Sequence, residues 1–351
     1  SVSGEASLAM HSHQSSVEGS HSAILASSDS QLSGDYSLLA FGDNQALAGD
    51  HSIILSGDDH ELSGDYAMIM AGDSHALDAH ASAILSGESH DLKGHYSSIL
   101  NGSKNTLSAD ASSIGVGSKN TLSGFASAII SGVSNHVTGL GSVIAAGRKN
   151  TVESNYAAIP GGSNNTVQAE DAIALGSGAN VTHDGSFVFS DASNHSAVSQ
   201  SENQFAAYAS GGVYLYTGED TPVILPANSG SWAQVSDRRA KKDFESISDE
   251  FLAQYRSLAI YQWVYKANTK VQHIGAMAQD FYNAFKLGDS DKRIYSVDAD
   301  GANLAALKLL QVDIDKHKVE SDSEHQMQLD LEAIRQDLSA MEQAVRGGLK
   351  Q

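Results

Sequence analysis

The sequence predicts a mainly β protein: a parallel β-roll of fifteen-residue repeats, then a small α+β domain and a C-terminal helical coiled coil. Three observations lead there. Aliphatics and glycines recur every fifteen residues through the first half of the chain. Each repeat holds two short strand-like segments and two turn signals, too little for a helix pair. Apolar 3-4 spacing starts only near Leu304.

One aliphatic series runs Val17, Leu32, Leu47, Leu62, Leu77, Leu92, Leu107, Leu122, Val137, Val152 and Val167. A second runs from Ile24 through Leu39, Ile54 and Ile99 to Ile159, and glycines keep the same beat from Gly42 to Gly162. After Ala169 the step shortens to fourteen, at Ile173 and Gly176. Each coil is predicted as a strand such as residues 36–40, a Gly turn, a shorter strand around Leu47 and a second Gly turn. Stacked coils put each strand beside its own equivalent, ~4.8 Å along the axis, so that about eleven coils span roughly 50 Å. Equivalent aliphatics then form internal ladders. Two or three aliphatics per coil make a thin core for a lone chain, so a homo-oligomer that buries a second face is expected.

Polar positions line up too. Asn105, Asn120, Asn135, Asn150 and Asn165 form one ladder, and His60, His75 and His90 hold the same position earlier. They are expected as turn residues in αL geometry on an exposed solubility face, each bonding its neighbour. Asp43, Asp58, Asp73 and Glu88 lie close by, so weak divalent-cation binding or a response near pH 6–7 is the sharper alternative. Twelve of the fifteen histidines fall in residues 1–235, yet none has a compact zinc spacing, and no metal or cofactor is assigned.

The formal charge of −21 argues against nucleic-acid binding. Residues 1–235 carry five Lys/Arg against 23 Asp/Glu, whereas residues 236–351 carry 16 against 19, so the two parts differ in kind. Cysteine is absent, and no apolar run reaches the roughly 18 residues that membrane insertion needs. The start, Ser-Val-Ser-Gly-Glu, has neither Met nor signal pattern, and reads as the beginning of an excised fragment.

The unit Tyr-Ser-x-Ile-Leu-x-Gly-x-x-Asn-x-Leu, as at Tyr96 to Leu107, resembles the left-handed parallel β-roll heads of trimeric autotransporter adhesins. The resemblance covers residues 1–180 and implies a homotrimer; the family's step is usually fourteen residues. Residues 181–235 form a β neck. Within it, Asn203 to Tyr216 alternates like two strands across Gly211-Gly212, and Pro222, Pro226 and Gly230 mark turns before Trp232. A phosphate loop at the Gly pair lacks the following Lys-Ser/Thr.

At residue 236 the composition changes. Ser236-Asp237-x-x-x-Lys241, with His273-Ile274-Gly275-Ala276-Met277-Ala278-Gln279-Asp280 and Val297-Asp298, resembles the self-cleaving C-terminal intramolecular chaperone of phage tail spikes, tail fibres and endosialidases. The same domain type occurs on bacterial surface proteins. Phe285-Lys286 stands where that family commonly has Phe-Pro. The resemblance covers about residues 230–351, with the chaperone domain itself at 236–351, and implies a Ser-Lys dyad with Ser236 as nucleophile and Lys241 as base. It places the cut at Ser236–Asp237. A serine hydroxyl needs a base, and lysine serves only when desolvation or nearby cations such as Arg238, Arg239 and Lys242 strip its proton. Attack on the preceding carbonyl closes a five-membered ring, attack on the serine's own carbonyl a strained four-membered one. A neighbouring subunit's serine avoids that strain and links cleavage to assembly.

Beyond the junction, Phe251, Leu252, Tyr255 and Leu258 have helical spacing, Ile260 to Tyr265 reads as a strand, and residues 273–278 as another leading into a helix. His273 is expected in a structural role. Asp298-Ala299-Asp300-Gly301 reads as a helix N-cap rather than a calcium loop. The trimerising helices span about residues 302–351. Leu304, Leu307, Gln311 and Ile314, then Leu331, Ile334, Leu338, Met341 and Val345, keep coiled-coil spacing, and the polar stretch 317–326 between them predicts a bend.

The expected protein is a homotrimeric fibre or spike on a virion tail or bacterial surface, meeting a host glycan or receptor. Its chaperone registers the near-identical coils against one-repeat slips and cuts once beside Ser236. The alternative is a non-cleaving adhesin with a permanent trimeric anchor. A glycan-degrading spike would need paired carboxylates, and the acidic ladders are too regular for one active site.

Overall fold

The computed structural model describes residues 1–218 and 222–348, and the chain divides into two compact units, Ser1–Val235 and Ser236–Gln351.

The first unit is a parallel β-solenoid of about 13 turns. In one coil, Leu38–Asp43 lies parallel to Ile53–Ser56 of the next, with Leu39 beside Ile54. Across the coil, Ala46–Leu47 lies beside Glu61–Leu62, with Leu47 against Leu62. The fifteen-residue step is therefore the register of both sheets. Both aliphatic ladders point inward and are sealed: Ile54, Ile99, Leu62 and Leu107 are all buried.

Most coils also carry an internal serine that the aliphatic pattern does not reveal, with Ala67, Ala157 and Ala172 in its place elsewhere. The Ser52 hydroxyl donates to the Asp50 carbonyl at 3.0 Å and the Gly64 carbonyl at 2.8 Å, and accepts the Ala67 amide at 2.9 Å. Ser37, Ser82, Ser97, Ser112 and Ser127 repeat this clamp. These short side chains satisfy backbone groups at a corner where the sheet ladder is interrupted.

Tyr36 does not begin a strand. It sits in a turn at φ 54°, as do Tyr66 and Tyr96, because the chain must reverse there before the internal Ile is presented. Their rings project outward and stack with histidines: His21, Tyr36, His51 and Tyr66 follow one another at 4.7–5.1 Å between centroids.

The Asn/His ladder lies inside the coil, not on an exposed face. His60, His75, His90, Asn105 and Asn120 are all buried. The αL geometry falls one residue earlier, at Asp59, Ser74, Ser89, Lys104 and Lys119. That placement turns the next side chain inward. Each Asn then bonds the next coil: Asn120 Nδ2 reaches the Gly132 carbonyl at 2.9 Å, and Asn120 Oδ1 accepts the Asn135 amide at 3.0 Å.

The stack continues past residue 180, through Phe187–Ser190 and Phe205–Tyr208, which pair in parallel. The hairpin expected across Gly211-Gly212 is therefore absent. Ala206 extends the internal column beside Val188, and this in-register burial outcompetes a local turn. Gly212–Leu215 instead pairs antiparallel with Val223–Pro226, which pairs with Ala233–Gln234.

In the second unit, helix α1 (Asp249–Ser257) precedes an antiparallel pair, Tyr261–Tyr265 and Asn268–Gly275, then α2 (Ala278–Phe285) and α3 (Ser296–Gly348). Phe251 and Phe281 both pack on Phe285, at 4.8 and 4.9 Å between rings. Helix α1 is tied to α3 by Tyr255 Oη donating to Asn303 Oδ1 at 2.7 Å, and by Arg256 with Asp313 at 3.2 Å. Lys286 ends α2 at φ 54°, a conformation proline cannot adopt, which explains why the common Phe-Pro is not found here.

Helix α3 runs unbroken through residues 317–326, against the expected bend. That stretch lacks Gly and Pro, and helix propensity suffices without an apolar stripe. Asp298 lies in the first turn of α3 rather than at its cap, where its carboxylate faces the positive helix end. The calcium-loop reading fails for the same reason. Leu304, Leu307, Ile314, Leu331, Ile334, Leu338 and Met341 are all exposed on α3. The Val345 side chain and residues 349–351 lie outside the described residues.

Candidate active site

The unit boundary falls between Val235 and Ser236, and the local chain folds back at once. Asp237 caps a single 3-10 turn, Arg238–Ala240, by accepting the Arg239 amide at 2.8 Å. The Lys241 amide returns to the Arg238 carbonyl at 3.2 Å. This cap and turn bring together two side chains five residues apart: Lys241 Nζ donates to Ser236 Oγ at 2.7 Å. The two predicted site residues are thus in direct contact.

The surrounding charges are partly spoken for. Arg239 clamps Asp237 through Nη2 at 2.7 Å and Nε at 3.1 Å, and these bonds hold the Asp237 carboxyl below its usual range. The Arg238 guanidinium lies 4.6 Å over the Phe244 ring, and Lys242 Nζ is 3.9 Å from Asp243. Of the three cations expected to discourage a charge on Lys241, Arg239 is therefore neutralised locally. Ser236, Asp237 and Lys241 are all exposed in the single chain.

His273 is remote from this chemistry in role. It sits on the Asn268–Gly275 strand opposite Trp263, stacked on that indole at 4.6 Å and edge-on to Tyr265 at 5.3 Å. The arrangement packs an aromatic cluster.

The arrangement defines a class: a repetitive parallel β-solenoid joined, at a Ser–Lys contact, to a separate α+β unit with a long helix. Residues 236–287 match the profile of the family described as "Chaperone of endosialidase". The match begins at Ser236 and takes in α1, both strands and α2. The similarity is thus confined to the second unit and is to a chaperone domain. No curated protein matches the chain. Among the described residues, no helix is long and apolar enough to cross a membrane.

Proposed function

We propose that this chain is one strand of a homotrimeric fibre whose C-terminal unit registers three chains and then severs itself beside Ser236. The observation that carries the reading is the Lys241–Ser236 contact at the first residue of the second unit. Lys241, once desolvated, takes the Ser236 proton as Oγ adds to a peptide carbonyl. It then returns the proton to the departing amine. The resulting ester is hydrolysed by water, which frees the two pieces. On Ser236–Asp237 the attacking hydroxyl comes from a neighbouring chain, so that uncut monomers stay intact until they assemble.

Trimerisation is supported by two unpartnered apolar faces. On the solenoid, residues flanking the buried Ile ladder are apolar in several coils, Ile53 and Leu55, Met68 and Met70, Ala128 and Ile130, with Ser98 and Ser113 interrupting the series. Ile130 is 56% exposed, and Met70 and Leu100 on the same sheet face are exposed too. The second sheet presents mostly polar outward residues such as Glu61, Asp91, Thr106 and Thr121. The exposed Leu/Ile series of α3 is the other face. Three in-register copies would bury both.

Denaturing electrophoresis of freshly expressed chain tests the cleavage. Two fragments dividing near residue 236, lost in Ser236→Ala and Lys241→Ala, are expected. A single intact band from the parent chain sinks the cleavage and leaves a permanent trimeric anchor. A sedimentation mass of one chain refutes the trimer. A host-surface glycan or receptor is the partner expected for such a fibre.

A further inference from the structure

Among the described residues, the column His60–His75–His90 is where ionisable groups replace amides inside the solenoid. The rings are parallel, 4.9 Å apart between centroids and within 2–4° of coplanar orientation. Each is 1% exposed. Parallel rings do not converge on a point, so the column is no metal cage.

The bonding fixes the protonation state. His60 Nδ1 accepts the His75 amide, His75 Nδ1 the His90 amide and His90 Nδ1 the Asn105 amide, each at 3.2 Å. Nδ1 must therefore carry a lone pair, and the proton resides on Nε2. His60 Nε2 meets the Ser56 carbonyl at 3.2 Å, whereas Nε2 of His75 and of His90 faces the equivalent backbone of Ala71 and Ser86 only weakly, without a well-formed hydrogen bond among the described residues. In the asparagine coils the same position reaches forward, as Asn135 Nδ2 does to the Gly147 carbonyl at 3.0 Å. The histidine coils lack that clamp.

We infer that this column is an acid-sensitive weak segment, which loosens the coils between Gln45 and Asn105 while the asparagine coils beyond stay closed. A second proton on any ring turns Nδ1 into a donor aimed at a backbone N–H donor. Protonation of two adjacent rings would also place like charges face to face, 4.9 Å apart, in a buried stack. Carboxylates oppose this only from the rim. Asp58, Asp59 and Asp73 face His60, Asp73 faces His75, and Glu61, Glu88 and Asp91 stand on the same coils. Burial outweighs them and lowers all three histidines; His75, with a ring on either side, is pushed down to about 4.

The direction follows from linkage. The unfolded coil binds a proton near pH 6.5 and the folded coil only near 4, so stability is lost as the pH falls through that interval.

Hydrogen–deuterium exchange on the full chain at pH 7, 5 and 4, corrected for intrinsic rates, tests this. Peptides from residues 50–105 are expected to lose protection at least tenfold more than peptides from residues 115–165. His75→Asn, and the triple replacement of His60, His75 and His90 by Asn, should shrink or abolish the difference with every carboxylate in place. Equal loss along both halves of the parent chain overturns the inference. So does a difference that is undiminished in the triple replacement.

Discussion

Lys241 Nζ donates a 2.7 Å hydrogen bond to Ser236 Oγ while both side chains remain open to solvent. Base catalysis requires the hydroxyl to donate to a neutral amine, a state that a lysine reaches when water is excluded from it. Local folding alone assembles the contact and leaves it open to water. Cleavage should therefore follow assembly. Lys241→Arg keeps the charge and the donor but has no accessible neutral form. It should slow cleavage by about 10^2–10^4-fold. Timed gels of parent and variant check this, and an Arg variant that cuts at the parent rate would remove Lys241 from the mechanism.

The two outward faces of the solenoid predict different responses to the same insertion. Ile130→Asp puts a charge on the apolar sheet face, and should weaken self-association at least tenfold, about 1.4 kcal/mol. Thr121→Asp puts the same charge on the polar sheet and should leave the association unchanged. Sedimentation equilibrium on both variants measures the contrast. Equal behaviour of the two would mean that the apolar face is not the subunit contact.

The aliphatic ladders, two per coil, were legible from spacing alone, because Leu47 and Ile54 have no other way to be buried. The serine clamp and the buried Asn/His column were not. Serine, asparagine and histidine are common at exposed turns, and only the αL residue before each ladder position reverses its direction. The parallel pairing of Phe205–Tyr208 was hidden for a related reason. Gly211-Gly212 is a strong local turn signal, while the register with Val188 lies in a partner eighteen residues away. At the site, the motif named Ser236 and Lys241, but the spacing of five said nothing of the Asp237 cap that closes it.

The ladder asparagines should behave as core residues. Asn135 Oδ1 accepts the Asn150 amide at 3.1 Å and Nδ2 donates to the Gly147 carbonyl at 3.0 Å. Asn135→Ala leaves the Asn150 amide buried and unpaired, at about 1–3 kcal/mol, while the Gly147 carbonyl keeps the Val133 amide at 2.9 Å. The loss should approach that of Ile99→Ala, for which deleting a buried aliphatic costs about 2–5 kcal/mol. Chemical denaturation of the two variants compares them, and a cost near zero for Asn135→Ala would return the ladder to the surface role.

Glycine positions separate into required and incidental ones, and alanine substitution should tell them apart. Gly117 has φ +142° and its missing Cβ would collide with the Gly132 carbonyl oxygen of the next coil. That neighbour is backbone in the ladder and cannot yield without opening the coil. Gly117→Ala should cost about 1–3 kcal/mol from the strained backbone alone, with the clash added. Gly161 has open space around its Cβ direction. Gly161→Ala should be neutral or stabilise by about 0.4–1 kcal/mol, since alanine restricts the unfolded chain. Thermal denaturation of the pair measures both, and a Gly117→Ala as stable as the parent would show that coil spacing is not held by the glycine beat.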